Sequence, residues 1–135
     1  MSRSADEEQG VRSVAYALPI LPGMTERGLR FLEELIENRG EAFHRQRRDL
    51  GFRRIKVFRQ SYPAEMVVLY LEADDVHDSI HRRAASQHDF EEWFEHEFEE
   101  LTGVHVDDAP AHSRQVELVF DWHKEHGVSR KHHPV

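Results

Sequence analysis

The chain has 135 residues, 26 of them acidic and 18 basic, for a net charge of −8 with histidines neutral. That length suits one domain with its own core, and the negative balance repels duplex nucleic acid unless the basic residues cluster. Having no cysteine, the chain is without disulfides, thiolate metal sites or a thiol nucleophile, and no stretch approaches the ~20 apolar residues of a membrane-spanning helix.

Residues 1–10 are polar and acidic, lack the apolar core of a signal peptide, and read as a disordered lead; a cytoplasmic protein is expected. The folded domain is predicted over residues 11–122, with a polar tail over 123–135. Val11 to Leu18 is apolar and β-branched enough for a first strand, ending at Pro19. After the turn at Pro22-Gly23, Thr25 is the predicted N-cap of a helix with Glu26 in its first turn. Leu29, Leu32, Ile36, Phe43 and Leu50 carry helical spacing forward; Gly40 predicts a kink and Gly51 the end. Phe52 to Gln60 and Met66 to Glu72 read as a hairpin around Ser61-Tyr62-Pro63-Ala64. Asp74 or Asp75 caps a short helix that puts Val76, Ile80 and Ala84 on one side. Ser86 and Asp89 have capping-box spacing. They precede an apolar stripe of Phe90, Trp93, Phe94, Phe98 and Leu101, closed by Gly103. A loop through Pro110 leads to a predicted fourth strand, Gln115 to Trp122.

Strand, helix, strand, strand, helix, strand is the ferredoxin-like βαββαβ order: an α+β fold with a four-stranded antiparallel sheet and helices on one face. Two helices cover only one face, and a solvated second face requires strict apolar–polar alternation. Met66-Val-Val-Leu-Tyr-Leu71 is apolar on both parities, and Val14 to Leu18 and Val116 to Phe120 lean the same way. Both faces therefore call for burial, and the simplest cover is a second copy about a two-fold axis. A homodimer is expected, with a cavity between the paired sheets.

Several short stretches carry a resemblance. They are Leu18-Pro-Ile-Leu-Pro-Gly23, Arg47-Arg-Asp-Leu-Gly51, Gln60 with Pro63, Tyr70-Leu-Glu-Ala-Asp-Asp75 and Phe90-Glu-Glu-Trp-Phe94. Over residues 12–122 the chain resembles the dimeric α+β barrel superfamily, which includes antibiotic-biosynthesis-monooxygenase-like, EthD-like and stress-responsive barrel proteins, and within it an uncharacterised bacterial family. The resemblance implies the barrel-like dimer and a ligand cavity. It implies no shared catalytic set, because members include cofactor-free oxygenases, haem-binding proteins and proteins without known activity.

The polar strand positions are the first site candidates. A hairpin pairing Gln60 near Met66 sets Arg54 against Glu72 and Lys56 against Tyr70. Such pairs either fix register or form a polar wall in an apolar pocket. Tyr16 and Trp122 lie on strands where either face meets the cavity, and His44 on the first helix has the titration range of a general base. The ligand-binding candidates are therefore Arg54, Lys56, Gln60, Tyr70, Glu72, His44 and Tyr16. The basic run Arg45, Arg47, Arg48, Arg53, Arg54 and Lys56 reads first as a solvated helix end and strand, and second as an anion site. It lacks the interleaved aromatics of a nucleic-acid surface.

Among 11 histidines, His77 and His81 are one helical turn apart, near Asp74 and Asp78, and could share a metal; they read first as a solvated helix face. His123, His126, His132 and His133 fall in the tail and are assigned no native site. His96-Glu97 lacks the second histidine of the zinc-protease motif. The aromatic stripe reads as core before pocket. No phosphate-cradling glycine loop or nucleophile elbow is present. No metal or cofactor is expected; a haem on His44, His77 or His81 is the weakest alternative. The leading expectation is a small-molecule-binding dimer of unassigned activity. A cofactor-independent monooxygenase-like enzyme acting on aromatic or polyketide-type substrates is the first alternative, and a structural or regulatory interaction protein the second.

Overall fold

The computed structural model describes residues 11–129. Its elements follow in chain order: β1 (Ser13–Pro19), α1 (Thr25–Glu37), α2 (Gly40–Asp49), β2 (Phe52–Gln60), β3 (Met66–Ala73), α3 (Val76–Ala85) and α4 (Asp89–Thr102). A 3-10 turn (Val106–Asp108), α5 (Ala109–Arg114), β4 (Asp121–His123) and β5 (Gly127–Ser129) complete it. The fold is α+β. Its main sheet is three-stranded and antiparallel in the order β1-β3-β2, and β4-β5 forms a separate hairpin. Among the described residues no helix is long and apolar enough to cross a membrane. The predicted lead, residues 1–10, and the tail beyond residue 129 lie outside the described residues.

Alternation along the strands sorts their side chains between two faces. On the inner face Val14, Tyr16 and Leu18 stand opposite Leu71, Leu69 and Val67, which in turn face Ile55, Val57 and Arg59. Val14, Leu71 and Ala73 pack with Val76 and Ile80 of α3 into a buried cluster. The outer face carries Ala15 and Ala17 of β1, Met66, Val68, Tyr70 and Glu72 of β3, and Arg54, Lys56, Phe58 and Gln60 of β2. The predicted register is found: Gln60 faces Met66, Arg54 faces Glu72, and Lys56 faces Tyr70.

The helix ends correct several expectations. The run from Thr25 is two helices, not one kinked helix. It breaks at Asn38–Arg39, whose N–H groups both return to the Glu34 carbonyl, and Gly40 opens α2 instead of kinking it. Met24, not Thr25, holds the N-cap position of α1. Asp75 caps α3, its carboxylate accepting from the Asp78 N–H at 3.1 Å. His88, not Ser86, caps α4, its Nδ1 accepting from the Phe90 N–H at 3.1 Å. Gly51 and Gly103 do end α2 and α4 at φ of +94° and +75°, the left-handed region that glycine enters without strain.

The predicted fourth strand, Gln115–Trp122, is not in the sheet, so the ferredoxin-like order is not shown. Helix α5 takes up much of the predicted loop. Residues 115–120 form no strand, and only Asp121–His123 pairs, with Gly127–Ser129. The hairpin also gives structure to the first residues of the predicted loose tail. Leu118, Val119, Phe120 and Trp122 are 47, 74, 63 and 61 % exposed. Consecutive apolar residues suit a strand covered on both faces, and a single chain supplies neither cover here.

Candidate functional site

Between the inner sheet face and the helices lies a cavity of about 240 Å³. Leu18 and Leu69 form its sheet wall, and Phe31, Phe94 and Phe98 its helix wall. The aromatic stripe therefore does two things at once. Phe94 packs on Phe31 of α1 at 5.4 Å and on Phe98 at 5.9 Å, and the same rings face the cavity. Leu29, Val57, Arg59 and His105 are exposed members of the lining, and the first three lie at the opening. Arg59 is held there by a two-pronged ion pair with Glu65, at 3.0 and 3.3 Å.

The inner end is polar, and three helices build it. Arg47 of α2 donates through Nη1 to both carboxylate oxygens of Glu91 on α4, at 2.6 and 2.9 Å. Arg83 of α3 brings its Nε to 3.7 Å from the same carboxylate. Glu91 is fully buried, and the Arg47 and Arg83 side chains are 8 and 11 % exposed. Both arginines line the cavity; Glu91 stands behind them. The Phe94 ring lies 4.9 Å from the Arg47 guanidinium and 5.0 Å from that of Arg83, a favourable contact for a desolvated cation. Burial in this setting lowers the pKa of Arg83, with the Arg47 charge acting the same way. Burial also raises the carboxyl of Glu95, one turn along α4.

Of the seven ligand-binding candidates, Tyr16 alone lines this cavity. Burial raises its hydroxyl above the ordinary phenol range, partly offset by the Arg83 charge, so the group keeps its proton. Its ring meets the His112 ring of α5 at 5.1 Å, and His112 also lines the cavity. Arg54, Lys56, Gln60, Tyr70 and Glu72 gather on the outer sheet face, away from the cavity. There Tyr70 donates to Glu72 at 2.6 Å, which raises the phenol pKa. His44 is exposed on α2 and Trp122 on β4, and neither lines the cavity.

His77 and His81 part company. His81 is exposed, whereas the His77 Nδ1 lies 3.1 Å from the Ser113 hydroxyl. That hydroxyl donates to the Pro110 carbonyl at 3.0 Å, so the imidazole Nδ1 is the donor to it. Burial, then the Arg114 charge, lowers its pKa. His123, Glu125 and His126 bring ligand atoms within 4.8 Å of one another at the exposed β4-β5 turn, and nothing else there points to an ion.

Sequence reasoning missed Arg47, Arg83 and Glu91 as a group. Arg47 was grouped with a solvated basic run, and its neighbours Arg45, Arg48, Arg53, Arg54 and Lys56 are indeed exposed. The available signal was its place inside the apolar stripe, four residues after Phe43 and three before Leu50. No family model matches the chain, and no curated protein or solved structure matches it either.

Proposed function

We propose that this chain is a small-molecule-binding protein whose ligand lies between the inner sheet face and the helices. One observation carries the reading: a largely apolar cavity of about 240 Å³ with two buried arginines, Arg47 and Arg83, at its inner end. Ligand pockets have this composition, apolar walls for affinity and a few placed polar groups for orientation. A cavity of ~150 Å³ holds one benzene ring, so this one has room for a fused bicyclic ring or an alkyl chain of similar bulk.

We also propose that the chain works as a homodimer of the ferredoxin-like, barrel-forming kind. The support is the outer sheet face, where Ala15, Ala17 and Phe58 are exposed. Across the strands Arg54 stands opposite Glu72 and Lys56 opposite Tyr70, so the face carries charges of both signs beside its apolar residues. The exposed Val116–Phe120 segment, strand-like in composition, pairs with no edge of the main sheet. In such a pair the sheet-face candidates Lys56, Gln60 and Tyr70 serve the contact between copies.

Titration with the neutral fluorophore N-phenyl-1-naphthylamine tests the cavity. Saturable binding, one probe per chain, is expected. Val57 is 44 % exposed at the opening, so Val57→Trp places an indole there without emptying the core. It is expected to weaken the probe at least tenfold. Unsaturable binding, or equal affinity in the variant, would end the reading.

A further inference from the structure

The inner end of the cavity holds two cations and one anion. Arg47 occupies both oxygens of Glu91 through short hydrogen bonds. Arg83 approaches no closer than 3.7 Å, which is an ion pair without a hydrogen bond. Among the described residues, Glu91 is the one carboxylate within ion-pair distance of Arg83. A guanidinium carries five donors and no acceptor, and those of Arg83 face the cavity. Arg83 is therefore a cavity-lining group with unused donors and surplus charge. Glu95, the next carboxyl on α4, has its pKa raised by burial, with the Arg83 charge acting the other way; it does not come within ion-pair distance of Arg83.

The surroundings narrow what fits. The Phe94 ring lies 5.0 Å from the Arg83 guanidinium and covers it on one side. Tyr16 offers an O–H on the same lining. The surplus is one unit, so a monoanion balances it and a dianion overshoots. A planar carboxylate matches the guanidinium fork by two parallel hydrogen bonds. Leu18, Leu69, Phe31 and Phe98 make the walls beyond it apolar, suited to a hydrocarbon body.

Resting on the cavity-binding reading above, we infer that the ligand is a monocarboxylate on an apolar aromatic or alkyl body, its carboxylate seated on Arg83 and Tyr16. Displacement of bound N-phenyl-1-naphthylamine by matched pairs tests this: 2-naphthoate against 2-naphthalenemethanol, and decanoate against 1-decanol. Charge-assisted hydrogen bonds predict that each acid displaces the probe at about tenfold lower concentration than its alcohol, or less. Arg83→Met removes the surplus charge at nearly constant bulk, and the preference is expected to fall to within about twofold. Arg83→Lys keeps the charge but loses the fork, and retains only part of the preference; it serves if the methionine variant does not fold.

Acid and alcohol acting equally in the parent protein would overturn the carboxylate assignment and leave the cavity reading intact. A preference surviving both Arg83 variants would also overturn it. Failure of the parent to bind the probe at all would remove the underlying reading instead.

Discussion

Replacing Glu91 with glutamine is expected to bring the protein close to unfolding. The carboxylate is fully buried between Arg47 and Arg83, and the amide that replaces it leaves two cations in the interior with no anion. Removing one partner of a buried ion pair costs about 3–5 kcal/mol. A whole domain has roughly 5–15 kcal/mol of stability, so one atom exchange removes a large part of it. For a chain of this size the loss corresponds to a fall in Tm of roughly 10–20 °C. Calorimetry of E91Q beside the parent measures it directly, and a fall of only one or two degrees would contradict the buried geometry. The triple variant Arg47→Met, Arg83→Met, Glu91→Leu is expected to recover most of the loss, because packed apolar groups replace buried ion clusters at little cost.

Val68→Asp is expected to convert a dimer into monomers. Val68 points outward from the middle of β3, between Ala17 on β1 and Phe58 on β2. In a lone chain the position is half-buried beside an exposed neighbour, and the new carboxylate reaches water. In a face-to-face pair the same group is held away from water twice over, once per chain. The penalty for an unpaired buried charge is several kcal/mol, enough to shift a micromolar association by orders of magnitude. Sedimentation equilibrium is expected to give twice the chain mass for the parent and the single chain mass for V68D, with unchanged circular dichroism. A parent that is monomeric at tens of micromolar would end the paired reading without touching the cavity.

The parts of this structure legible in the sequence are those set by neighbours along the chain. The β2-β3 register followed from the turn at Ser61–Ala64 and from matching Arg54 with Glu72 and Lys56 with Tyr70 across it. Gly51 and Gly103 marked helix ends because only the left-handed backbone there calls for glycine. The hydrophobic stripe of α4 announced its buried side. Where the sequence misled, the deciding partner was distant. Leu118 to Phe120 have strand composition, yet a strand needs an edge to pair with, and composition does not supply one. The inner end of the cavity draws Arg47, Arg83 and Glu91 from three helices. Each residue alone reads as surface charge, and only their meeting makes them a site. Tyr16 was found because strand alternation admits just two directions for it. The five sheet-face candidates were gathered on one face correctly, and that face turned away from the cavity.

The chain has two tryptophans, and the fold separates them. Trp93 lies in the helix layer, with the Arg39 guanidinium 4.0 Å above its ring and Phe31 at 5.3 Å. Trp122 stands exposed on β4 beside the uncovered apolar segment. The molecule thus contains two optical reporters with different subjects. Emission from Trp93 follows the integrity of the helix layer. Emission from Trp122, isolated in a Trp93→Phe variant, follows whatever comes to lie on the C-terminal segment. A blue shift of that band on raising protein concentration, with growing resistance to acrylamide quenching, is the expected optical mark of two chains meeting there.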